Sequence, residues 1–174
     1  MKVAFSDASF DQDRKVAGIG IVIDKDVKSS NVSNWIPCDD VNYAELFAIY
    51  IAGILLGGKG KVYTDSQTAI DYLQGRIRDD KPRTHPQYIR HMQKKVLAYK
   101  IKKLDLEVIK VKGHSKEMRL TELNNNDADI NAKKGLAKYY ARFSKLHERW
   151  VCLCRNTTRT YNLYRYNKNT NGYG

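Results

Sequence analysis

The apolar segment at residues 42–56 constrains the fold of this 174-residue chain more than any other feature. Its apolar positions cover almost every face of a helical wheel, which predicts a buried helix that ends at Gly57-Gly58. A chain of this length predicts one domain that is large enough to bury such a helix, with room for an appendage. The helix contains a single carboxylate, Glu45, whose presence in an apolar segment requires an explanation.

Strand and helix patterns on either side of this segment predict three strands, the buried helix, and then a strand, two helices, a strand and a helix. The strands are predicted at residues 2–5, 17–23, 27–36, 61–64 and 104–111. The helices are predicted at residues 42–56, 66–74, 87–102 and 127–147. Three leading strands that can form a meander, followed by alternating helices and strands, predict an α/β fold with a mixed five-stranded sheet flanked by helices.

Two of these helices carry predictions about the side that faces the core. In the helix at 87–102, the apolar positions at helical spacing are Ile89, Met92, Val96 and Tyr99. The basic positions expected on the opposite side of that helix are Arg90, Lys94 and Lys95. In the last helix, the residues available for the core are Ile130, Leu136, Tyr140 and Phe143.

The composition changes at Glu148 to Tyr, Asn, Thr and Arg, which divides the chain into a domain at 1–147 and a small basic, aromatic extension at 148–174. Residues 150–154 and 161–166 each alternate in polarity and predict a β-hairpin. A solvated or disordered tail fits the same composition equally well. The interleaved arginines and tyrosines could stack on bases and contact phosphate.

The formal net charge of +12, with a pI near 9.6, favours a polyanionic partner. Residues 76–119 contain 14 Lys or Arg against 5 Asp or Glu, so this stretch carries nine of the twelve net charges. A solvated basic face explains such a stretch as well as nucleic-acid binding does. Charge alone therefore leaves both interpretations open.

The sequence predicts an intracellular, cytoplasmic protein without membrane contact. No apolar run reaches membrane-spanning length, and the N-terminal residues lack the apolar stretch of a secretory signal. The three cysteines, Cys38, Cys152 and Cys154, do not have the spacing of a zinc site and are interpreted as reduced thiols.

Acidic residues recur where predicted strands end and where predicted helices begin. Asp7 follows the first strand, Asp65 follows the fourth, and Glu45 lies one turn into the buried helix. An Asp before Ser and Thr is most often a helix cap, but strand ends at one edge of an α/β sheet are also where ligand sites gather. Grouped carboxylates are costly unless a cation lies among them, and Mg²⁺ prefers oxygen ligands. Together with Asp129 and His114 further along the chain, they match the requirements of two-metal phosphoryl chemistry.

Five short motifs in order resemble those of the ribonuclease H type 1 family over roughly residues 1–145: FSDAS, NYAEL, VYTDSQ, VKGHS and NNNDADINA. The resemblance implies a ribonuclease H-like fold in which two Mg²⁺ ions, with Mn²⁺ as a substitute, are held by Asp7, Glu45, Asp65 and Asp129. It implies that His114 relays protons or helps to release the product.

The fourth carboxylate has two candidates, Asp127 and Asp129. The family pattern favours Asp129, because Asn125 stands four residues before it and Ala132 three residues after it. The chain also departs from the family in having Ala8 where many members have Gly.

The resemblance implies sequence-independent hydrolysis of the RNA strand of RNA–DNA hybrids. The protein is expected to act as a monomer. Asn42 and Gln67 match family residues that contact bases and sugars in the minor groove, where the 2′-OH distinguishes RNA from DNA. The chain lacks the Trp-bearing basic insertion of some bacterial members. The loop RIRDDKPRTHP and the basic helix after it, with Lys94 and Lys95, are expected to replace this insertion.

Two other functions compete with this interpretation. A non-catalytic nucleic-acid-binding protein on the same fold would have the same charge, but it would not need to keep all the carboxylates. An integrase or resolvase acting on DNA would resemble the first strand, but such proteins typically lack the order of the Glu-bearing helix, TDS and GH that this chain has.

Overall fold

The computed structural model describes residues 2–24, 30–78, 81–111 and 123–144. These residues belong to two compact units, the first ending at Lys138 and the second beginning at Tyr139. His114, residues 27–29 of the predicted third strand, and the extension at 148–174 with its predicted hairpin lie outside the described residues. None of the helices in the described part of the chain is long and apolar enough to cross a membrane.

Five strands form one mixed sheet in the order β3-β2-β1-β4-β5. They are β1 (Val3–Asp11), β2 (Val16–Asp24), β3 (Ser30–Pro37), β4 (Lys59–Thr64) and β5 (Asp105–Lys110). The first three strands pair antiparallel as a meander, whereas β4 pairs parallel with both β1 and β5. The predicted α/β fold with a mixed five-stranded sheet is therefore confirmed.

Four helices cover the sheet: α1 (Val41–Leu55), α2 (Gln67–Leu73), α3 (Pro86–Lys102) and α4, which the structure describes at residues 123–144. Asp40 begins α1 by accepting a hydrogen bond from the Tyr43 backbone N–H at 3.1 Å, and Ser66 begins α2 in the same way. As predicted, α1 lies in the core, where Leu46 and Ile49 are fully buried. The helices α1, α2 and α3 share one hydrophobic cluster with the sheet.

The strand β1 is longer than the predicted 2–5. Its parallel pairing with β4 stops at Phe5 opposite Tyr63, but its antiparallel pairing with β2 continues to Asp11. Asp7 pairs with Gly20 and thus lies within the strand, two residues beyond the point where β4 leaves β1. The opening between β1 and β4 therefore begins beside Asp7.

The predicted orientation of α3 is wrong. Ile89 and Val96 are 52% exposed and Tyr99 is 60% exposed, although their spacing predicted a buried face. The buried residues of α3 are His91, Lys94, Leu97, Ala98 and Ile101. Both sets recur at helical spacing, and the second set is the one that joins the hydrophobic core.

The helix α4 packs on the other face of the sheet through small residues. Glycines Gly18 and Gly20 of β2 face it so closely that a Cβ atom on Gly20 would lie 1.9 Å from the carbonyl oxygen of Ala128. Ala128 and Ala132 are fully buried, whereas the predicted core residue Ile130 is 39% exposed. Close contact between the two backbones leaves no room there for large side chains. Of the other predicted core residues, Leu136 and Tyr140 are half-buried and Phe143 is 40% exposed.

Candidate active site

In the turn after β4, the residue that caps α2 is Ser66 and not Asp65. The backbone N–H of Ser66 donates a hydrogen bond to the Thr64 side-chain oxygen at 3.2 Å. The Ser66 hydroxyl oxygen in turn accepts from the Ala69 N–H at 3.2 Å, so Ser66 caps α2. Because the cap is Ser66, the carboxylate of Asp65 is left for another role.

Three of the predicted carboxylates meet at the opening between β1 and β4. Asp7 comes from β1, Asp65 follows β4, and Glu45 comes from the second turn of α1. One carboxylate oxygen from each residue lies within 4.8 Å of the other two. We call Asp7, Glu45 and Asp65 the carboxylate cluster.

Burial and the charges of neighbouring carboxylates disfavour the charged forms of Asp7 and Glu45. Burial, followed by the charges of Asp7 and Asp65, raises the pKa of Glu45 to about 9. Burial and the charge of Asp65 raise the pKa of Asp7 to about 7, against the lowering effect of the Ala8 backbone N–H. Without a cation, Glu45 and part of the Asp7 population therefore retain their protons near neutral pH.

The donor set fits a hard divalent cation. Glu45 is 9% exposed, and its Oε2 atom has no hydrogen-bond partner among the described residues. A buried carboxylate oxygen without a partner is costly, and a metal ion would satisfy it. Clustered carboxylate oxygens are the ligands that Mg²⁺ prefers, so Asp7, Glu45 and Asp65 are suited to hold one.

Asp129 approaches the carboxylate cluster from α4 but lies outside the group of three. Its charge contributes to raising the pKa of Asp7. Its Oδ2 atom accepts a hydrogen bond from Lys133 Nζ at 2.7 Å, one helical turn further along α4. Asp127, the alternative fourth carboxylate, is exposed, and its charge is not among those that shift the pKa of Asp7.

Lys133 also lies beside the site, although it belongs to none of the five motifs. Its ammonium pairs with Asp129 and is close enough to lower the pKa of Asp7. The signal was present in the sequence, because an acidic and a basic residue four positions apart on a helix face each other.

The predicted nucleic-acid-binding residues have different environments. Asn42 is half-buried at the second position of α1, near Glu45 in the sequence. Gln67 is exposed at the start of α2, where its side-chain oxygen accepts from Lys110 Nζ at 2.8 Å. Lys95 is exposed on α3, as expected.

Lys94 does not lie on the exposed side of α3. It is 7% exposed, and its ammonium forms an ion pair with Asp40 at 2.5 Å. A lysine that is buried and paired in this way is not available for a phosphate, so the structure does not support the predicted phosphate contact of Lys94. The physical reason is the orientation of α3, which turns this position towards α1.

The sequence profile of the RNase H family matches residues 1–137. The chain therefore belongs to the RNase H family, as the five motifs indicated, and membership of this family indicates a nuclease. A search of curated protein sequences finds no match.

Solved structures support the same fold. The chain is 21% identical to an RNase H1 from the halophilic archaeon Halobacterium salinarum, with a TM-score of 0.57 over 79% of this chain and 98% of that one. It is 18% identical to LC11-RNase H1 in complex with an RNA/DNA hybrid, with a TM-score of 0.57 over 80% and 99% of the two chains. The N-terminal RNase H domain of a Mycobacterium tuberculosis protein gives 18% identity and a TM-score of 0.52 over 82% and 97%. These similarities establish a ribonuclease H-like fold.

Proposed function

We propose that this protein is a Mg²⁺-dependent endoribonuclease that hydrolyses the RNA strand of RNA–DNA hybrids without regard to sequence. The observation that carries the proposal is the carboxylate cluster, in which Asp7, Glu45 and Asp65 bring oxygens within 4.8 Å of one another. Membership of the RNase H family supports a nuclease, and the similar LC11-RNase H1 structure holds an RNA/DNA hybrid.

In the proposed mechanism, Asp7, Glu45 and Asp65 would hold divalent cations, and Asp129 would contribute a further carboxylate from α4. A pair of bound Mg²⁺ ions would lower the pKa of the attacking water and stabilise charge on the leaving 3′ oxygen. Asp7 and Glu45 must release protons when they become ligands, because their pKa values are raised to about 7 and about 9. Mn²⁺ also accepts oxygen ligands and is proposed as a substitute.

Proton transfer is proposed for His114, which lies outside the described residues. Its unperturbed pKa of about 6.5 would suit a group that relays protons near neutral pH or helps the product to leave. Exchange of His114 for Ala should therefore lower kcat more than it raises KM.

Substrate contacts are proposed on both sides of the carboxylate cluster. Asn42 on α1 and Gln67 on α2 would contact sugars and base edges in the minor groove, where the 2′-OH identifies RNA. Lys95 would contact phosphate from the exposed side of α3, within the basic stretch at 76–119. Contacts of this kind read backbone and shape, which supports cleavage that is independent of sequence.

A cleavage assay on matched RNA–DNA, RNA–RNA and DNA–DNA duplexes, with Mg²⁺ or with a chelator, tests the proposal. We expect cleavage of the RNA strand of the hybrid alone, and only with the metal. The matched control is Asp65→Asn, which should bind the hybrid without cleaving it. Tight hybrid binding by the unaltered protein, without cleavage under any metal condition, would instead support the non-catalytic alternative.

The proposed catalytic domain covers residues 1–147, acting as a monomer inside the cell, and the extension at 148–174 is proposed as an added binding element. Truncation near Lys145 should then raise KM for the hybrid while kcat stays unchanged. A truncated protein with a lower melting temperature and low activity would show that the extension packs against the domain. No change in any of these quantities would make it dispensable.

A further inference from the structure

Two ion pairs connect α3 to the residues that lead into α1. Arg90 and Lys94 lie one helical turn apart on α3, and they pair with the consecutive residues Asp39 and Asp40. Arg90 donates to Asp39 Oδ2 from Nε at 2.9 Å and from Nη2 at 2.8 Å, and this pair is exposed at both ends. The Lys94–Asp40 pair is different, because its side chains are only 9% and 14% exposed.

Asp40 connects this buried pair to the beginning of α1. Its Oδ1 atom accepts the hydrogen bond from the Tyr43 N–H that caps the helix, while its Oδ2 atom binds Lys94. The chain just before it is also fixed, because the Cys38 N–H donates to the Lys15 carbonyl oxygen at 2.8 Å. Lys94 therefore acts on the residue that sets where α1 begins.

The same ammonium also faces α2. Lys94 Nζ lies 5.3 Å from the centre of the Tyr72 ring, which is a cation–π distance. The Tyr72 hydroxyl lies 3.1 Å from Nδ1 of His91, one turn before Lys94 on α3. One buried charge thus contacts the cap of α1 and an aromatic face of α2.

These two helices are attached to two members of the carboxylate cluster. Glu45 stands five residues after Asp40 on α1, and Asp65 stands two residues before the first residue of α2. The separation of α1 and α2 therefore affects the separation of two carboxylates that must share a cation.

We propose that Lys94 is a positioning residue that sets the separation of Glu45 and Asp65 by holding α1 and α2 against α3. The inference depends on the proposed function in that the carboxylate cluster is taken as a metal site. An ammonium suits this role because its interactions with a carboxylate and with a ring face both have a preferred distance, whereas an apolar side chain of equal length would fill the space without fixing it.

The test compares Lys94→Met with the double variant Asp40→Asn/Lys94→Met. Lys94→Met alone leaves the Asp40 carboxylate buried without its partner, so it should lower the melting temperature. The double variant removes that unpaired charge, and Asn still caps a helix well, so its melting temperature should return close to that of the unaltered protein. Lys95→Met is the matched control, because it removes the same charge from the neighbouring exposed position.

The deciding measurement is the Mg²⁺ dissociation constant, determined by calorimetry without nucleic acid. We expect the double variant to bind Mg²⁺ about tenfold more weakly despite its recovered melting temperature, as for other residues that orient metal ligands. Its kcat should fall more than its KM rises. Lys95→Met should leave the melting temperature and the Mg²⁺ dissociation constant unchanged, whatever it does to KM.

A double variant that binds Mg²⁺ as tightly as the unaltered protein would overturn the positioning role and leave the proposed function intact. Mg²⁺ binding by the unaltered protein without hybrid cleavage would overturn the proposed function alone. Absence of Mg²⁺ binding by the unaltered protein would overturn both.

Discussion

Glu45 and Asp129 approach the same site from opposite faces of the sheet, and different kinds of packing hold them. Glu45 comes from α1, which buries large side chains such as Leu46 and Ile49. Asp129 comes from α4, which lies close against the glycines of β2. The buried Glu45 has an oxygen without a partner among the described residues, whereas Asp129 already pairs with Lys133.

Because only Asp129 already has a charged partner, the two faces of the sheet are expected to contribute differently to metal binding. The α1 face presents Glu45, whose buried negative charge is unfavourable without a cation. The position of Glu45 therefore governs metal binding. The α4 face presents a carboxylate whose charge is already balanced, so its removal should matter less. The following predictions test that distinction.

Of the two carboxylates compared, Glu45 is expected to cost more activity when it is replaced, here by Gln. Removal of one negative ligand from the carboxylate cluster should lower kcat/KM by about 10³-fold, since metal ions supply several kcal/mol of transition-state stabilisation. Asp129→Asn should cost only about tenfold, because Asp129 lies outside the group of three. The measurement is steady-state cleavage of a hybrid at saturating Mg²⁺, with melting temperatures to check folding. Equal losses for the two variants would contradict the distinction.

The packing of the α4 face is tested by Gly20→Ala. The new Cβ atom would meet the Ala128 carbonyl oxygen at 1.9 Å, so α4 must move, and we expect a loss of about 3 kcal/mol in unfolding free energy. Gly53→Ala on α1 is the matched control, because its Cβ atom would meet only the ends of the Leu106 and Leu104 side chains, at 2.4 and 3.0 Å. Those side chains can rotate, so the control should change stability by less than about 1 kcal/mol. Denaturant unfolding measures both; a destabilised control would show that the α1 face is equally intolerant.

The pH dependence of stability distinguishes the two carboxylates in the metal-free protein. Glu45 has a pKa of about 9 in the folded state against 4.5 as the ordinary value, so the unfolded chain releases this proton first as the pH rises. Its contribution to stability is therefore present below about pH 4.5 and is lost as the pH rises towards 9. Asp7 contributes in the same direction between about 4 and 7.

Glu45→Gln should accordingly be more stable than the unaltered protein at pH 8, by at least about 1 kcal/mol, and should lose less stability between pH 5 and pH 8. Asp129→Asn should keep most of the original pH dependence, because Glu45 is still present. Urea unfolding at several pH values in a chelator measures this. The prediction fails if Glu45→Gln shows the same dependence on pH as the unaltered protein.

The smallest effect is expected from Lys133→Met. Loss of the ammonium leaves Asp129 without its pair, so Mg²⁺ should bind about two- to fivefold more tightly, in line with the energy of an exposed ion pair. Lys134→Met is the control, because it removes the same charge from the adjacent exposed position of α4 without breaking that pair. Calorimetric titration of Mg²⁺ compares them, and equal changes would mean that only the overall charge matters.

The carboxylate cluster was predictable because short motifs carry its residues. Local patterns place Asp65 after a strand and Glu45 near the start of a helix. Asp7 was assigned to the same edge of the sheet, although β1 continues beyond it to Asp11. The interpretation of Asp65 as a helix cap was excluded only by the structure, in which the Ala69 N–H donates a hydrogen bond to the Ser66 hydroxyl oxygen. Lys133 could have been found from its spacing to Asp129, which is a local property of a helix.

The packing of α4 could not be predicted in the same way. Hydrophobicity directed the prediction to Ile130 and Phe143, which are 39% and 40% exposed. The close approach to Gly18 and Gly20 instead selects small residues such as Ala128, and that approach is a property of the assembled sheet.

The order of the elements, the mixed sheet and the residues of the carboxylate cluster follow from local patterns along the chain, so the sequence predicts them. The buried side of α3, in contrast, depends on the assembled fold. Periodicity shows which residues share a side of a helix, but burial depends on what the neighbouring elements offer. Asp40 and Tyr72 offer a carboxylate and a ring face, and these stabilise Lys94 in the interior, while Val96 and Tyr99 remain at the surface.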